Sequence, residues 1–462
     1  RKLEDMQNTD GGWGWFTDKS SPHTTAIVVS GLQQGIRADA NLDRGVYERG
    51  LQWLMRYERE QLRRLQLAEN EKERKAAVDH MDAYVASILG AEQRGEATML
   101  DLLYQDRTKL NLYSNALLGM SLHLADRNEQ RDMVVRNIEQ FLVKDEENQT
   151  AFLKLDNGSY WWHWYGNQIE TQAAYLKLLV AIDPKSETAS GMVKYLLNNR
   201  RHGFYWNNTR DTAACIEAIA NYLVKSGEAR PDLTVQLSVD GEVRKNIEIG
   251  KKDLFSYENH LVIGAEELTS GEHQLEFQKT GSGPLYFNAY LTNFTKEDPI
   301  TKTGLEVKVE RRFWKLTPKD ATTTVSGQAG QVVEQDVDAY DRERIDGQTV
   351  LQSGDEVEVE LIIESKNDYS YILIEDMKAA GMEPLDVRSG YVGQLGAYRE
   401  LRDEKVAFFL RRLPQGQHAL TYRIKAEIPG KFSALPTRIM GMYAPELVGN
   451  ADEAKIEIED SK

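Results

Sequence analysis

The sequence predicts a multidomain α + β protein: an α/α toroid of helical hairpins, then a small β domain, then a β-sandwich. Three observations predict it. A Gly-rich turn carrying aromatics opens the chain at Asp10-Gly11-Gly12-Trp13-Gly14-Trp15-Phe16. It returns at Arg201-His202-Gly203-Phe204-Tyr205-Trp206, and each copy feeds an apolar helix. At Glu228-Ala229-Arg230-Pro231 the apolar period changes from the helical to the strand value. A second alternating block follows Asp298-Pro299.

Residues 1–228 read as helix after helix. The turn glycines supply backbone angles that other residues resist, and the aromatics wedge neighbouring hairpins together. Helices are expected at Thr24 to Leu32 and Thr212 to Val224. Apolar stripes at helical spacing run through Met81, Tyr84, Val85, Ile88 and Leu89, and through Val134, Ile138, Phe141 and Leu142. Ile216, Ile219, Ala220 and Leu223 form another. Tyr47, Leu51, Leu54 and Met55 lie on a helix expected to continue into Arg56 to Ala77, whose charges read as a solvated face. Candidates near Thr24, Tyr113, Ile169 and Thr212 are apolar around more of their circumference than those near Arg44, Asp132 and Ala189. The first set reads as an inner layer and the second as an outer one.

Residues 229–298 read as the small β domain. Leu233, Val235, Leu237 and Val239 alternate, and Asp240-Gly241 signals a hairpin. Further strands are expected at Asn259 to Ile263, His273 to Gln278 and Leu285 to Leu291. In residues 301–462, alternation at Leu305 to Val309, Val357 to Ile363, Val406 to Leu410 and Leu420 to Ile428 predicts a sandwich. The polar, aperiodic stretch at about 317–349 reads mostly as a surface loop.

The net charge of −16 over 462 residues excludes a basic nucleic-acid stripe. No apolar run has the length of a membrane span. Arg1-Lys2-Leu3 reads as the interior of something longer. One cysteine, Cys215, excludes an intrachain disulfide framework, which fits a bacterial or cytosolic origin.

Particular segments carry a family resemblance. Leu3 to Asn8, Trp13 to Phe16 and Thr25-Ala26, then Gly203-Phe204 with Arg210-Asp211-Thr212, are similar to the thioester domain of the bacterial α2-macroglobulin family. Tyr398 to Phe409, Leu413-Pro414 with Gly416, Thr421-Tyr422-Arg423, Pro429 to Phe432 and Met442-Tyr443-Ala444-Pro445-Glu446 resemble its terminal domain. The resemblance implies a C-terminal fragment. Residues 1–228 would be an incomplete toroid of the thioester type, lacking its first helices and the thioester segment. Residues 229–298 would be half of a CUB-like domain, and 301–462 a macroglobulin or receptor-binding-like sandwich. Members are protease traps, not enzymes: a bait segment is cut, the molecule collapses around the protease, and in many a Cys-x-Glu-Gln thioester captures an amine. The implied partners are target proteases, met through an upstream bait region, and in some members a penicillin-binding protein. The implied location is the periplasmic or extracellular side of the bacterial envelope, with membrane attachment only through an upstream anchor.

No residue reads as catalytic, cofactor-binding or metal-binding. Cys215-Ile216-Glu217-Ala218 departs from Cys-x-Glu-Gln because alanine cannot acylate a thiol, so Cys215 reads as a core residue. Trp161-Trp162-His163-Trp164-Tyr165 reads as a packing wedge, against a carbohydrate platform. Two rival functions stay open: an envelope scaffold recruiting a cell-wall synthase, and a toroid enzyme acting on isoprenoid or polysaccharide. The absence of any Asp-Asp pair opposes the second.

Overall fold

The computed structural model describes residues 2–15, 19–69, 71–146, 148–155, 167–200, 205–252, 256, 260–285, 287, 289, 291, 299–326, 332–346, 349–386, 388–393 and 395–460. The chain forms two compact units, Arg1–Asn198 with Asn208–Asn288, and Asn199–Asn207 with Ala289–Lys462.

The first unit holds α1 (Lys2–Asp5), α2 (Pro22–Arg37), α3 (Arg44–Leu65), α4 (His80–Gly90), α5 (Ala97–Gln105), α6 (Leu112–Leu124) and α7 (Asn128–Glu139). A hairpin of β1 (Leu142–Asp145) and β2 (Thr150–Leu153) precedes α8 (Gln168–Ile182), α9 (Glu187–Asn198) and α10 (Thr209–Ser226). Side chains of Ser21, Asp43, Asp79, Asn111, Asn167 and Asn208 accept first-turn N–H groups and so start α2, α3, α4, α6, α8 and α10.

Helices α2, α4, α6, α8 and α10 pack one upon the next, while α3, α5, α7 and α9 lie against them as a second layer. Burial follows the layers. Helix α8 buries eleven side chains and α7 only Val134 and Ile138. The first aromatic turn acts as a wedge: Trp13 is 2% exposed and seats its ring where Gly50 of α3 leaves no side chain. Its backbone N–H donates to Thr25 Oγ1 at 2.9 Å, and its indole donates to Leu3 O at 2.8 Å.

Three helical expectations are corrected. Helix α3 stops at Leu65 instead of running to Ala77, because no apolar stripe continues beyond it. Residues 71–79 fold back instead, with Lys75 N–H on Arg64 O. Helix α7 ends at Glu139, leaving Phe141 exposed and Leu142 in β1. Helix α10 buries Asp211, Cys215, Ala218 and Tyr222, whereas Ile216 of the expected stripe is 54% exposed and Leu223 is also exposed.

Still in the first unit, β3 (Asp232–Val239), β4 (Glu242–Ile249) and β5 (Leu275–Ser282) form an antiparallel sheet in the order β4-β3-β5. Asp240 and Gly241 both take positive φ, 52° and 81°, as the tight hairpin requires. Two expected strands are not found among the described residues of 259–263 and 285–291. Val262 and Leu291 there are strongly exposed, whereas Leu285 packs against the small core of this sheet and Phe287 stacks on Phe277.

The second unit comprises β6 (Thr303–Gly304), β7 (Val307–Ser326), β8 (Val332–Arg344), β9 (Val350–Gln352), β10 (Glu356–Ser365), β11 (Tyr369–Met377), β12 (Met382–Pro384) and β13 (Gly390–Val392). It continues with β14 (Ala397–Leu401), β15 (Lys405–Leu413), β16 (Gly416–Ala426), β17 (Gly430–Ala434), β18 (Arg438–Gly441), β19 (Ala444–Asn450) and β20 (Ala454–Glu459). A five-stranded sheet, β12-β16-β10-β7-β8, and a seven-stranded sheet, β13-β14-β15-β11-β18-β19-β6, share one core. Strands β17-β20-β9 make a third sheet. Val357, Val359, Leu361 and Ile363 point into the core from the first sheet, and Ile372, Ile374, Val406, Phe408 and Leu410 from the second. The loop expected at about 317–349 is corrected: β7 and β8 pair without interruption from Trp314↔Arg344 to Ser326↔Val332. Its β-branched residues favour the extended backbone, but without an apolar alternation there was no period to read.

A buried carboxylate crosses this core. Asp376 of β11 is fully buried and its Oδ1 accepts from Arg311 Nη1 and Thr437 Oγ1, both at 2.7 Å. Its Oδ2 accepts from the Tyr422 hydroxyl at 2.7 Å. The Arg311 guanidinium also donates to Ala434 O and Leu435 O. Asp376→Asn strands the Arg311 charge, so we expect it to cost about 3–5 kcal/mol, read from the urea midpoint of this unit. Replacing both partners, as Arg311→Met with Asp376→Leu, should cost less than the single change.

Candidate functional site

Cys215, the one candidate nucleophile by residue type, lies on the inward side of α10 and is fully buried. Burial, then the nearby Asp211 carboxylate, pushes its thiol well above the usual range, so the nucleophilic thiolate is suppressed. The other residues of its tetrapeptide do structural work: Glu217 accepts from Lys177 Nζ at 3.0 Å, and Ala218 is buried.

A polar network missed in the sequence joins the inner helices. Glu170, in the first turn of α8, accepts from Arg210 Nη2 at 2.7 Å and is hydrogen-bonded by Tyr113 of α6. Burial and Glu170 raise the Tyr113 hydroxyl well above its ordinary pKa. Tyr84 of α4, hydrogen-bonded to Ser30 of α2, is pushed up to about 12 by burial. His23 of α2 is pulled down by burial and by Arg210. Close by in sequence to these, His80 Nδ1 lies 3.0 Å from Ser114 Oγ. Ser114 is fully buried, which keeps substrate from its hydroxyl. The signal that could have found the network is positional: Glu170, Arg210, Tyr113 and His23 sit in the first turns of α8, α10, α6 and α2, four of the five inner helices. No set of three or more His, Cys, Asp or Glu side chains among the described residues could hold a metal ion. No described helix is long and apolar enough to cross a membrane.

The second unit presents a surface. The registers align Tyr391, Tyr398, Phe409, Leu373, Met440 and Val448 in one row across six strands of the seven-stranded sheet, on the face away from the core. Tyr391 is 81% exposed and packs edge-on to Tyr398, with ring centroids 5.3 Å apart. At one margin Tyr371 takes a left-handed φ of 59° and packs edge-on to the exposed Tyr443. Apolar rows of this kind commonly mark protein contacts.

Residues 309–446 match the family model of the bacterial α2-macroglobulin MG10 domain. Over 99% of its length the chain is 24% identical to an α2-macroglobulin homologue of Nostoc. Together these matches indicate a member of the bacterial α2-macroglobulin family. An α2-macroglobulin of Thermotoga maritima is 23% identical over 54% of this chain. The chain spans 23% of the first relative's length and 14% of the second's. The crystal structure of trypsin-activated α2-macroglobulin from Escherichia coli is 16% identical, covers 99% of this chain and 29% of that one, and gives a TM-score of 0.46.

The matched α2-macroglobulin segment runs from β7 into β19, so it holds Arg311, Asp376, Tyr422 and Thr437 as well as every residue of the aromatic row except Val448. The run Trp161 to Tyr165, including His163, lies outside the described residues, as do Phe16 and Arg201 to Phe204. A maleimide should leave Cys215 unmodified in the folded chain and label it once in urea. Stoichiometric labelling before unfolding, read by intact mass, would make it an accessible thiol.

Proposed function

We propose that this chain is the C-terminal part of a bacterial α2-macroglobulin-type protease inhibitor, acting by entrapment and not as an enzyme. The carrying observation is the alignment with a curated α2-macroglobulin homologue over 99% of the chain. In this reading, residues 1–228 belong to a toroidal thioester-type domain, 229–298 to a CUB-like domain and 301–462 to the terminal macroglobulin-like sandwich. The two helical layers support the toroid. The exposed Ile216, Leu223 and Val224 on α10 suit a ring that further helices complete. The suppressed thiol of Cys215 suits a core residue, so a thioester would come from elsewhere in the whole protein. Target proteases would be met through a bait segment outside this chain, on the periplasmic or extracellular side of the envelope.

A second reading, a scaffold that recruits a cell-wall synthase such as a penicillin-binding protein, is favoured by the aromatic row on the sandwich. Incubating the intact protein with a protease separates the two. Entrapment predicts loss of activity towards large protein substrates with small peptides still cleaved. Unchanged activity towards both would reject it.

A further inference from the structure

Glu58 sits on α3 among residues that the trap reading does not use. It is 2% exposed, and one of its oxygens, Oε1, has no hydrogen-bond partner. The other, Oε2, accepts the backbone N–H of Glu96 at 3.0 Å. Glu96 is the residue that begins α5, and its own side chain makes no capping bond there. Glu58 therefore caps α5 from a different helix. Met99 and Leu103 then bury fully on the inward side of α5.

The surroundings are poor in positive charge. Asp82 of α4 is 1% exposed, with Oδ1 unpartnered, and its charge bears on Glu58. The neighbouring Lys75 ammonium is already divided between Asp82 Oδ2 at 2.6 Å, Asp79 Oδ2 at 2.7 Å and Gln61 Oε1 at 3.2 Å. From the segment before α5 comes the Glu96 carboxylate, and from α3 itself Arg59, which reaches Glu96 at 3.8 Å and is 58% exposed. Arg94 is paired with Glu48 at 2.5 Å. A buried carboxylate flanked by the Asp82 and Glu96 charges, with the opposing Arg59 cation half in water, is costly to ionise.

We propose that Glu58 is a proton-dependent latch: as the neutral acid it holds the first turn of α5 against α3, and loss of the proton releases segment 92–106 to open locally. Burial first, then the Glu96 and Asp82 charges, raises its carboxyl to about 7, with the Glu96 N–H and Arg59 opposing. The latched form thus binds the proton more tightly than an opened one near the ordinary 4.5. Its stability is full below that value, declines as pH rises towards 7, and levels off above.

The test is amide hydrogen exchange of α5 in the whole chain, corrected for the intrinsic pH dependence of exchange. Protection of α5 should fall about tenfold between pH 6 and pH 8. Glu58→Gln keeps the oxygen that accepts from Glu96 but cannot ionise, and should hold protection constant across that range. Amides of α7, which carries no part of the cluster, should show no such slope in either protein. A carbon-13 titration of the Glu58 carboxyl gives a reading that needs no variant: a midpoint near 7 supports the latch. A midpoint near 4.5, a flat wild-type profile, or a slope kept in Glu58→Gln would overturn it.

Discussion

One buried carboxylate organises the part of this molecule by which its family is recognised. Asp376 brings its charge into the sandwich core, where Arg311, Thr437 and Tyr422 consume both oxygens from separate strands and connections. Such a pair adds little net stability compared with apolar packing, yet it strongly penalises any arrangement that separates the partners. A one-residue slip of β11 would turn Asp376 to the opposite face and leave Arg311 stranded. The pair therefore acts on register more than on strength. All four residues fall within the segment that matches the MG10 model.

The helical unit solves its packing differently. Trp13 can wedge between α2 and α3 only because Gly50 presents no side chain, so a single small residue sets how closely the layers approach. Inside, Glu170, Arg210 and Tyr113 satisfy one another across three helices. A network compensated in this way rigidifies the interior.

Much of this was legible in sequence, for a physical reason. Periodicity reports which face is covered, so α4, β10 and β15, each packed against a second layer, declared themselves through Met81 to Leu89, Val357 to Ile363 and Val406 to Leu410. Where coverage is not periodic, the signal failed. The β7–β8 ribbon pairs through its backbone, which leaves no apolar alternation to detect. In α10 the apolar stripe and the buried stripe differ, because Ile216 and Leu223 face outward while Cys215 and Tyr222 face in. Glu58 was read as part of a solvated charged stretch, since composition cannot distinguish a carboxylate in water from one buried against the start of another helix. The assignment of Cys215 to the interior needed no structure, because its tetrapeptide lacks the glutamine that a thioester requires.

The proposed entrapment would depend on a bait segment outside residues 1–462. Small-angle scattering of the intact protein before and after protease cleavage, with the cut mapped by mass spectrometry, tests the link most directly. Entrapment predicts one early cut outside residues 1–462, a smaller radius of gyration, and protease retained in the complex. Early cutting within residues 1–462, or an unchanged radius with the protease left free, would contradict it.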